Sequence, residues 1–337
     1  MNAELPNFSE TVESCMSCEL YVLYFIIPLL VKPLNSQRID EMVAEDKAAG
    51  DMSVPDRLGR QWSIWLMENA MARCHILYPT VDDGAFDTII FYLHGGAYIA
   101  NFNDPLHFDG PAKIAAQLGH CSLFLVEYPR APSVSHGDLF DIVEGLFKQV
   151  AERYANKKIV VMGDSAGAGL ALVVSQRLVA ASKRETVRLP DSIILQSPWL
   201  DLSVSDPESA RLESVDPILR VEGLRKAGEL LAAGIPLSDP RISPLFGDLS
   251  GLPPVSVWIG SHDVLLPDSR RLRDRFKTEK IPSCFRYREK LGLLHCFFLL
   301  PFNGSAETID EVVDAIIKDC CLVRTKAAKK SSILCGF

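Results

Sequence analysis

From about residue 86 onward, short apolar segments alternate with longer helical ones, and this alternation limits what the chain can fold into. The short segments are rich in β-branched and aromatic residues, and their hydrophobicity is continuous rather than alternating, which is typical of parallel strands buried on both faces. The longer segments have the spacing of amphipathic helices. We therefore predict a doubly wound α/β domain, with a mostly parallel central sheet and helices on both faces. The predicted strands are residues 88–93, 122–126, 158–162, 192–195, 255–259 and 284–287, and the predicted helices are residues 111–118, 138–154, 166–181, 269–280 and 308–323.

Two regions interrupt the alternation. Residues 1–60 are mixed and helix-like, and residues 201–248 place polar turns around a helical stretch. Both are predicted to be caps over the carboxyl ends of the strands, where open sheets bind ligands, although peripheral packing explains either region equally well. The predicted organisation is an N-terminal helical cap at 1–60, an α/β domain at 61–323 with a cap insertion around 201–248, and a basic tail at 324–337.

The composition excludes two classes of protein. Apolar residues make up 48% of the chain and charged residues 23%, which excludes a mainly disordered protein. The formal net charge is −8, so a nucleic-acid-binding protein would need a local basic patch against this field. The tail residues Lys326, Lys329 and Lys330 are the only such cluster. We therefore expect no nucleic-acid partner.

The nine cysteines have no regular spacing, which predicts reduced thiols rather than a disulfide framework. Cys15 and Cys18 have CxxC spacing, but no second pair or histidine cluster completes a zinc site, and we expect no metal. No pattern of a charged region, an apolar run and a small-residue cleavage site opens the chain. These observations favour a cytoplasmic location.

One uncharged segment, residues 20–31, lies near the N-terminus, beginning at Leu20 and ending at Val31. It is shorter than the roughly 20 residues needed to cross a bilayer, and Pro28 interrupts it. Two interpretations stay open. The segment is either a helix that packs over a ligand site or a peripheral contact with a membrane surface. The second would place the protein at the endoplasmic-reticulum membrane.

The strongest local motif is Gly-Asp-Ser-Ala-Gly at residues 163–167. A predicted strand precedes it and a predicted helix follows it, which is the context of a nucleophile elbow. Such a turn needs small flanking residues and lifts the serine hydroxyl above the sheet. The N-terminus of the following helix also favours negative charge nearby. We predict that Ser165 is a nucleophile.

A second motif, His-Gly-Gly-Ala-Tyr at residues 94–98, directly follows a predicted strand. Small residues at Gly95, Gly96 and Ala97 allow the backbone to turn its N–H groups inward. Together with the N–H of Ala166, such donors form an oxyanion hole. The flanking His94 and Tyr98 are predicted to contact the substrate.

Ser165 needs a general base, and the base needs a carboxylate to orient it. His295 is the best base because it follows the last predicted strand on a short loop. Asp263 directly follows the strand at residues 255–259, and the order Ser, Asp, His is the one expected for this arrangement. The rivals are His262, which would reverse the order, and Asp268, which lies further into the next helix.

The motifs together resemble those of the hormone-sensitive-lipase-like family of α/β-hydrolases, over roughly residues 86–320. The resemblance implies an α/β-hydrolase fold with a helical cap, a Ser-Asp-His triad and no metal or organic cofactor. It places the oxyanion donors on Gly96, Ala97 and Ala166. Besides the two motifs above, the matching segments are Tyr-Pro-Arg-Ala-Pro at 128–132, Ser-Pro-Trp-Leu-Asp at 197–201, Asp-Pro at 239–240, Ser-Pro at 243–244 and Leu-Pro-Pro at 252–254.

The chain departs from the family pattern at several positions. Ala97 replaces the third glycine of the usual His-Gly-Gly-Gly, so a residue with a Cβ must adopt the backbone conformation required there. Glu127 stands where aspartate is usual. These changes are more similar to divergent fungal members, which include steryl acetyl hydrolases and product-pathway hydrolases, than to thermophilic bacterial esterases.

The function expected from the residues and the resemblance is hydrolysis of carboxylic esters of small or apolar molecules through an acyl-enzyme. Hydrolysis of an amide, a lactone or a thioester uses the same triad and is an open alternative. A non-catalytic receptor for a small ligand is another, because plant gibberellin receptors resemble this family but lack the catalytic histidine. The sequence does not indicate the oligomeric state.

Overall fold

The computed structural model of the chain describes residues 8–13, 32–48, 62–68, 72–79, 85–100, 105–300 and 303–322, in which one sheet of nine strands is flanked by eight α-helices. The strands are β1 (Phe8–Glu13), β2 (Trp62–Glu68), β3 (Arg73–Pro79), β4 (Thr88–Leu93), β5 (Cys121–Glu127), β6 (Lys158–Asp164), β7 (Ser192–Gln196), β8 (Val255–His262) and β9 (Phe285–Leu294). The helices are α1 (Ser36–Ala48), α2 (Pro105–Leu118), α3 (His136–Arg153), α4 (Ser165–Ser182), α5 (Pro207–Leu212), α6 (Val221–Ala232), α7 (Leu266–Thr278) and α8 (Asn303–Asp319).

The strand order is β1-β9-β8-β7-β6-β4-β5-β3-β2. In this spatial order, each of the first seven strands, from β1 to β5, is parallel to its neighbours among them. Strand β3 is antiparallel to both β5 and β2. This confirms the predicted mostly parallel sheet, and the six predicted strands are β4 to β9. Strand β4 has the predicted bounds, and the other five strands extend past their predicted carboxyl ends, most of all β9.

Two apolar clusters cover the two faces of the sheet. Alternate residues of β4 divide between them: Ile89 and Phe91 belong to one cluster, and Ile90 and Tyr92 to the other. Helices α1, α3, α4, α6 and α7 contribute to the first cluster, and α2 and α8 to the second. Since both faces are buried, the central strands are apolar at most positions, which is the continuous pattern seen in the sequence.

The structure differs from the predicted helical cap at residues 1–60. Residues 8–13 form β1, an edge strand that runs parallel to β9, with Phe8 opposite Phe285. An edge strand has one neighbour and accepts polar residues, so β1 lacks the continuous apolar pattern by which the central strands were predicted. The membrane-contact segment 20–31 and the tail 324–337 lie outside the described residues.

Helix α1 packs against α6 of the insertion between β7 and β8. Lys226 of α6 donates to the carboxylate of Asp40 at 2.6 Å, and Leu34 forms a parallel bridge with Leu219. The contact is close, because a Cβ added to Gly223 would lie 1.9 Å from the Leu34 carbonyl oxygen. The N-terminal helix and the insertion therefore form one packed unit.

Helix α4 is the one described helix that is long and apolar enough to cross a membrane by length and composition. Inside the protein, 78% of it is buried. It packs between β4, β6 and β7 and begins at Ser165, so its apolar character belongs to the core.

The close approach at Gly223 leads to a prediction about stability. Gly223→Ala should lower the free energy of unfolding by about 1–3 kcal/mol, because the new methyl group must displace the backbone at Leu34. Gly145→Ala is the matched control: Gly145 lies in α3, and an added Cβ meets no atom within 4 Å. This control should gain up to about 1 kcal/mol from helix propensity. Thermal unfolding measures both, and equal shifts for the two variants would contradict the contact.

Candidate active site

The elbow between β6 and α4 presents Ser165 as the first residue of the helix. Its φ of +52° lies in the left-handed region, a strained conformation for a residue with a side chain. The glycine after it is required by space, because a Cβ on Gly167 would lie 2.1 Å from the Leu93 carbonyl oxygen. The motif therefore needs a residue without a side chain at Gly167, where the helix crosses β4, and it holds a strained backbone conformation at Ser165.

Three side chains from the carboxyl ends of separate strands meet at this elbow. Nε2 of His295 lies 3.0 Å from the Oγ of Ser165, and Nδ1 of His295 lies 2.9 Å from the Oδ2 of Asp263. All three side chains are buried. With Nδ1 protonated and donating to Asp263, Nε2 is free to accept the proton of the Ser165 hydroxyl. This arrangement can activate a serine nucleophile.

The electrostatics of the site favour a basic His295. Burial by itself lowers the pKa of His295, but the adjacent Asp263 carboxylate outweighs it, with contributions from Asp216 and Asp164, and the pKa is raised above 6.5. A raised pKa means that the imidazolium formed during proton transfer is stabilised inside the protein.

The rival residues lie in other surroundings. Asp268, in the first turn of α7, accepts a hydrogen bond from Arg271 at 2.9 Å. Burial, followed by repulsion from Asp201, raises the pKa of Asp268 to about 7. His262 ends β8, and burial lowers its pKa. His295 is therefore the histidine that contacts both the Ser165 hydroxyl and the Asp263 carboxylate.

The loop after β4 has positive φ at three successive residues, Gly96 (107°), Ala97 (55°) and Tyr98 (61°). Ala97 thus adopts the left-handed conformation despite its Cβ. Within the described part of the chain, the N–H groups of Gly96 and Ala97 have no protein acceptor. The N–H of Gly95, by contrast, donates to the Oδ1 of Asp164 at 2.9 Å. We therefore propose Gly96, Ala97 and Ala166 as the oxyanion donors and leave Gly95 out of the predicted set.

The predicted substrate contacts of His94 and Tyr98 meet a different environment. Both side chains are about 1% exposed. The His94 ring stacks on Tyr128 with centroids 4.2 Å apart, and the Tyr98 ring packs against Trp199. Because both rings are buried against other aromatic side chains, we propose that both residues hold the loop in place.

The sequence reasoning missed the role of Asp164. Its buried carboxylate accepts hydrogen bonds from the Tyr92 hydroxyl (2.5 Å), the Gly95 N–H (2.9 Å) and the Cys296 thiol (3.6 Å). These donors belong to β4, to the loop after β4 and to the loop of His295. One side chain next to the nucleophile therefore ties three parts of the site together. Its place within the elbow motif was the only sequence signal.

Cys296 is a second residue that sequence reasoning missed. Its Sγ lies 3.3 Å from Nε2 of His295, and its backbone N–H donates to the Oγ of Ser197 at 3.0 Å. Burial, with Asp164 nearby, raises the pKa of this thiol well above its usual value, so it stays protonated. The loop after β7 also holds the elbow, because the Trp199 N–H donates to the Ser165 carbonyl at 3.0 Å.

Among the residues that the structure describes, no group of three or more His, Cys, Asp or Glu side chains is placed to hold a metal ion. Cys15 and Cys18 lie outside this part of the chain. The six described cysteines are free thiols.

A sheet of this topology with a serine at an elbow, a histidine and a carboxylate defines an α/β-hydrolase. The family model described as alpha/beta hydrolase fold matches residues 90–299. The chain belongs to this family, in the hormone-sensitive-lipase-like group that the motifs predicted.

Several curated proteins are similar in sequence. An esterase of Acinetobacter venetianus is 34% identical over 204 residues, which are 59% of this chain and 64% of that protein. An acetyl-hydrolase of Streptomyces hygroscopicus is 29% identical over 61% of this chain and 67% of its own length. The versiconal hemiacetal acetate esterase of Aspergillus parasiticus is 29% identical over 72% of this chain and 76% of its own length. The chain thus spans about two thirds of the bacterial relatives and somewhat more of the fungal one.

Solved structures confirm the fold. The protein EstE5, in a crystal soaked with p-nitrophenyl butyrate, superposes with a TM-score of 0.74 at 21% identity, over 91% of this chain and 100% of its own. A hormone-sensitive lipase from a metagenome library gives 0.67 at 22% identity, over 84% and 97%. At these identities the likeness concerns the α/β-hydrolase fold alone.

The raised pKa of His295 predicts how the reactivity of Ser165 depends on pH. A fluorophosphonate probe should label Ser165, with a rate that falls as His295 becomes protonated and a midpoint above pH 6.5. The raised pKa places this loss at higher pH than an ordinary histidine would. Labelling rates from pH 5 to 9, with the labelled residue identified by mass spectrometry, measure it. A midpoint at or below 6.5 would show that Asp263 does not act on His295 as described.

The two candidate carboxylates can be separated by one pair of variants. Asp263→Asn should lower the labelling rate by about 10³-fold or more, because an amide no longer orients and stabilises the imidazolium. Asp268→Asn should stay within about threefold of the unmodified protein, since its carboxylate contacts Arg271. Comparable losses in both variants would return Asp268 to consideration as the triad member.

Proposed function

We propose that this chain hydrolyses carboxylic esters with Ser165 as the nucleophile. The observation that carries the proposal is the pair of contacts at His295, 3.0 Å to the Ser165 hydroxyl and 2.9 Å to the Asp263 carboxylate. The family and the named relatives, which are esterases and acetyl-hydrolases, support the same chemistry.

In the first half of the reaction, Oγ of Ser165 attacks the ester carbonyl carbon while Nε2 of His295 accepts its proton. Asp263 holds the ring by the hydrogen bond at Nδ1 and stabilises the imidazolium. The tetrahedral intermediate then breaks its bond to the alcohol oxygen, which takes the proton from Nε2. The alcohol leaves, and the acyl group stays on Ser165.

The second half repeats these steps with water in place of the serine. His295 accepts a proton from water, the resulting nucleophile attacks the acyl carbon, and Ser165 regains its proton as the acid leaves. In both halves the N–H groups of Gly96, Ala97 and Ala166 are proposed to bind the oxyanion. Each such donor is worth roughly 10²-fold in rate.

We propose an acetyl ester of an apolar alcohol as the substrate. Two of the relatives are named as an acetyl-hydrolase and an acetate esterase, and the second is fungal. Ala97 in place of the third glycine and Glu127 in place of the usual aspartate also favour the fungal members of the family. A cytoplasmic location is proposed with it, since free thiols at the six described cysteines are typical of a reducing compartment.

The ester proposal is tested by p-nitrophenyl esters of increasing acyl length. Turnover should be greatest with acetyl or butyryl and fall with longer chains. Ser165→Ala should lower kcat by about 10³-fold or more, because the nucleophile is gone. Ser175→Ala, which removes a buried hydroxyl bonded to the Ala171 carbonyl in the same helix, is the matched control and should retain turnover.

Two results would overturn the proposal. Appreciable turnover by Ser165→Ala would show that another residue is the nucleophile. No turnover of any ester by the folded protein would favour either a non-catalytic receptor or a hydrolase of amides, lactones or thioesters. In that case, fluorophosphonate labelling of Ser165 would distinguish the two, because a receptor does not need an activated serine.

A further inference from the structure

A second buried carboxylate lies beside the triad. Asp216 belongs to the insertion between β7 and β8 and is about 1% exposed. Its Oδ2 accepts the N–H of Val264, the residue after Asp263, at 2.9 Å. Its Oδ1 accepts the N–H groups of Ile218 and Leu219 at 2.8 and 3.0 Å. All three donors are backbone N–H groups, so Asp216 holds the backbone of these segments in place.

We propose that Asp216 is a positioning residue of the triad, which fixes the backbone of the Asp263 loop and connects it to the cap insertion. The proposal rests on the proposed function, because it concerns the same serine, histidine and aspartate. Asp216 is thus a fourth side chain of the site, in addition to the three of the triad. It touches no reacting atom and acts through Asp263 and His295.

Asp216 is connected to helices α1 and α6 through the turn at residues 216–219, which its Oδ1 stabilises. Leu219, one of its donors, forms the parallel bridge with Leu34, and the Leu34 N–H donates to the Ile218 carbonyl at 2.7 Å. The guanidinium of Arg220 donates to the backbone carbonyl of Asp216 at 2.8 Å. A shift of α1 and α6 would therefore move Asp216 and, through Val264, the triad loop.

The charge of Asp216 also acts on the site. Burial and then the neighbouring Asp263 carboxylate raise the pKa of Asp216 to about 6. Asp216 in turn is one of the carboxylates that raise the pKa of His295. The charged groups that face it are Asp263, His295 and the Arg220 guanidinium at its backbone. Above about pH 6, two carboxylates thus stabilise one imidazolium.

An amide cannot replace this carboxylate. The two oxygens accept three N–H groups between them, two at Oδ1 and one at Oδ2. In asparagine one of these positions becomes an NH₂ group, which must face an N–H donor. Asp216→Asn therefore loses either the Val264 bond or the turn bonds, and it removes the negative charge in both cases.

The test compares Asp216→Asn with Asp268→Asn in hydrolysis of p-nitrophenyl acetate. Asp216→Asn should lower kcat by about 10- to 100-fold through misplacement of the triad, with KM within about twofold. Its acid limb should move to lower pH by about half a unit or more, because His295 loses one stabilising charge. Asp268 is the matched control: it is equally buried, its pKa is also raised, and its bonds go to Arg271. Asp268→Asn should keep kcat and the acid limb unchanged.

A second variant separates position from charge. Asp216→Glu keeps the negative charge, but its side chain is one methylene longer and cannot place its oxygens at the same three N–H groups, so kcat should fall about tenfold while the acid limb stays in place. It also carries the test if Asp216→Asn does not fold. A kcat equal to that of the unmodified protein in either variant, or equal losses in Asp268→Asn, would overturn the positioning role. Absence of turnover in the unmodified protein would instead refute the proposed function, so the two failures are distinct.

Discussion

The proposed active site depends on one buried carboxylate, that of Asp164, at the point where three loops meet. It receives hydrogen bonds from the end of β4, from the loop with the oxyanion donors and from the loop of His295. Its own backbone leads directly into Ser165. Removing the carboxylate would leave the Tyr92 hydroxyl and the Gly95 N–H buried without this acceptor, a cost of about 1–3 kcal/mol for each group. The position of the nucleophile relative to its base is therefore set by a residue that takes no part in the chemistry.

Strained backbone is concentrated around this point. Ala97, Tyr98, Ser165, Ser197 and Cys296 all have positive φ, and each belongs to a loop of the site. A non-glycine residue in this region costs roughly 1–2 kcal/mol. The continuous packing on both faces of the sheet, together with hydrogen bonds such as Trp199 to Ser165 and Cys296 to Ser197, offsets this strain. In our proposal, Asp216 adds a comparable constraint from the insertion between β7 and β8.

The six parallel strands β4 to β9 and the three side chains that meet at the elbow could be predicted from the sequence because each signal is local. A buried parallel strand is apolar at most positions without alternation, and the elbow is five consecutive residues between a strand and a helix. The roles of Asp164, Asp216 and Cys296 could not be predicted, since their partners lie far along the chain: Tyr92 is 72 residues from Asp164, and Val264 is 48 from Asp216. The burial of His94 and Tyr98 likewise depends on Tyr128 and Trp199, which a local motif does not include.

The edge strand β1 has a consequence for how the protein is made. Phe8 lies opposite Phe285 in the sheet, so β1 pairs with a strand that is synthesised 277 residues later. During translation, this edge cannot form until β9 has left the ribosome, and β9 in turn presents an open edge until residues 8–13 reach it. Unpaired strand edges are templates for association between chains. The closing of this edge is thus a long-range step in folding, and until it occurs the open edge of β9 can pair with another chain.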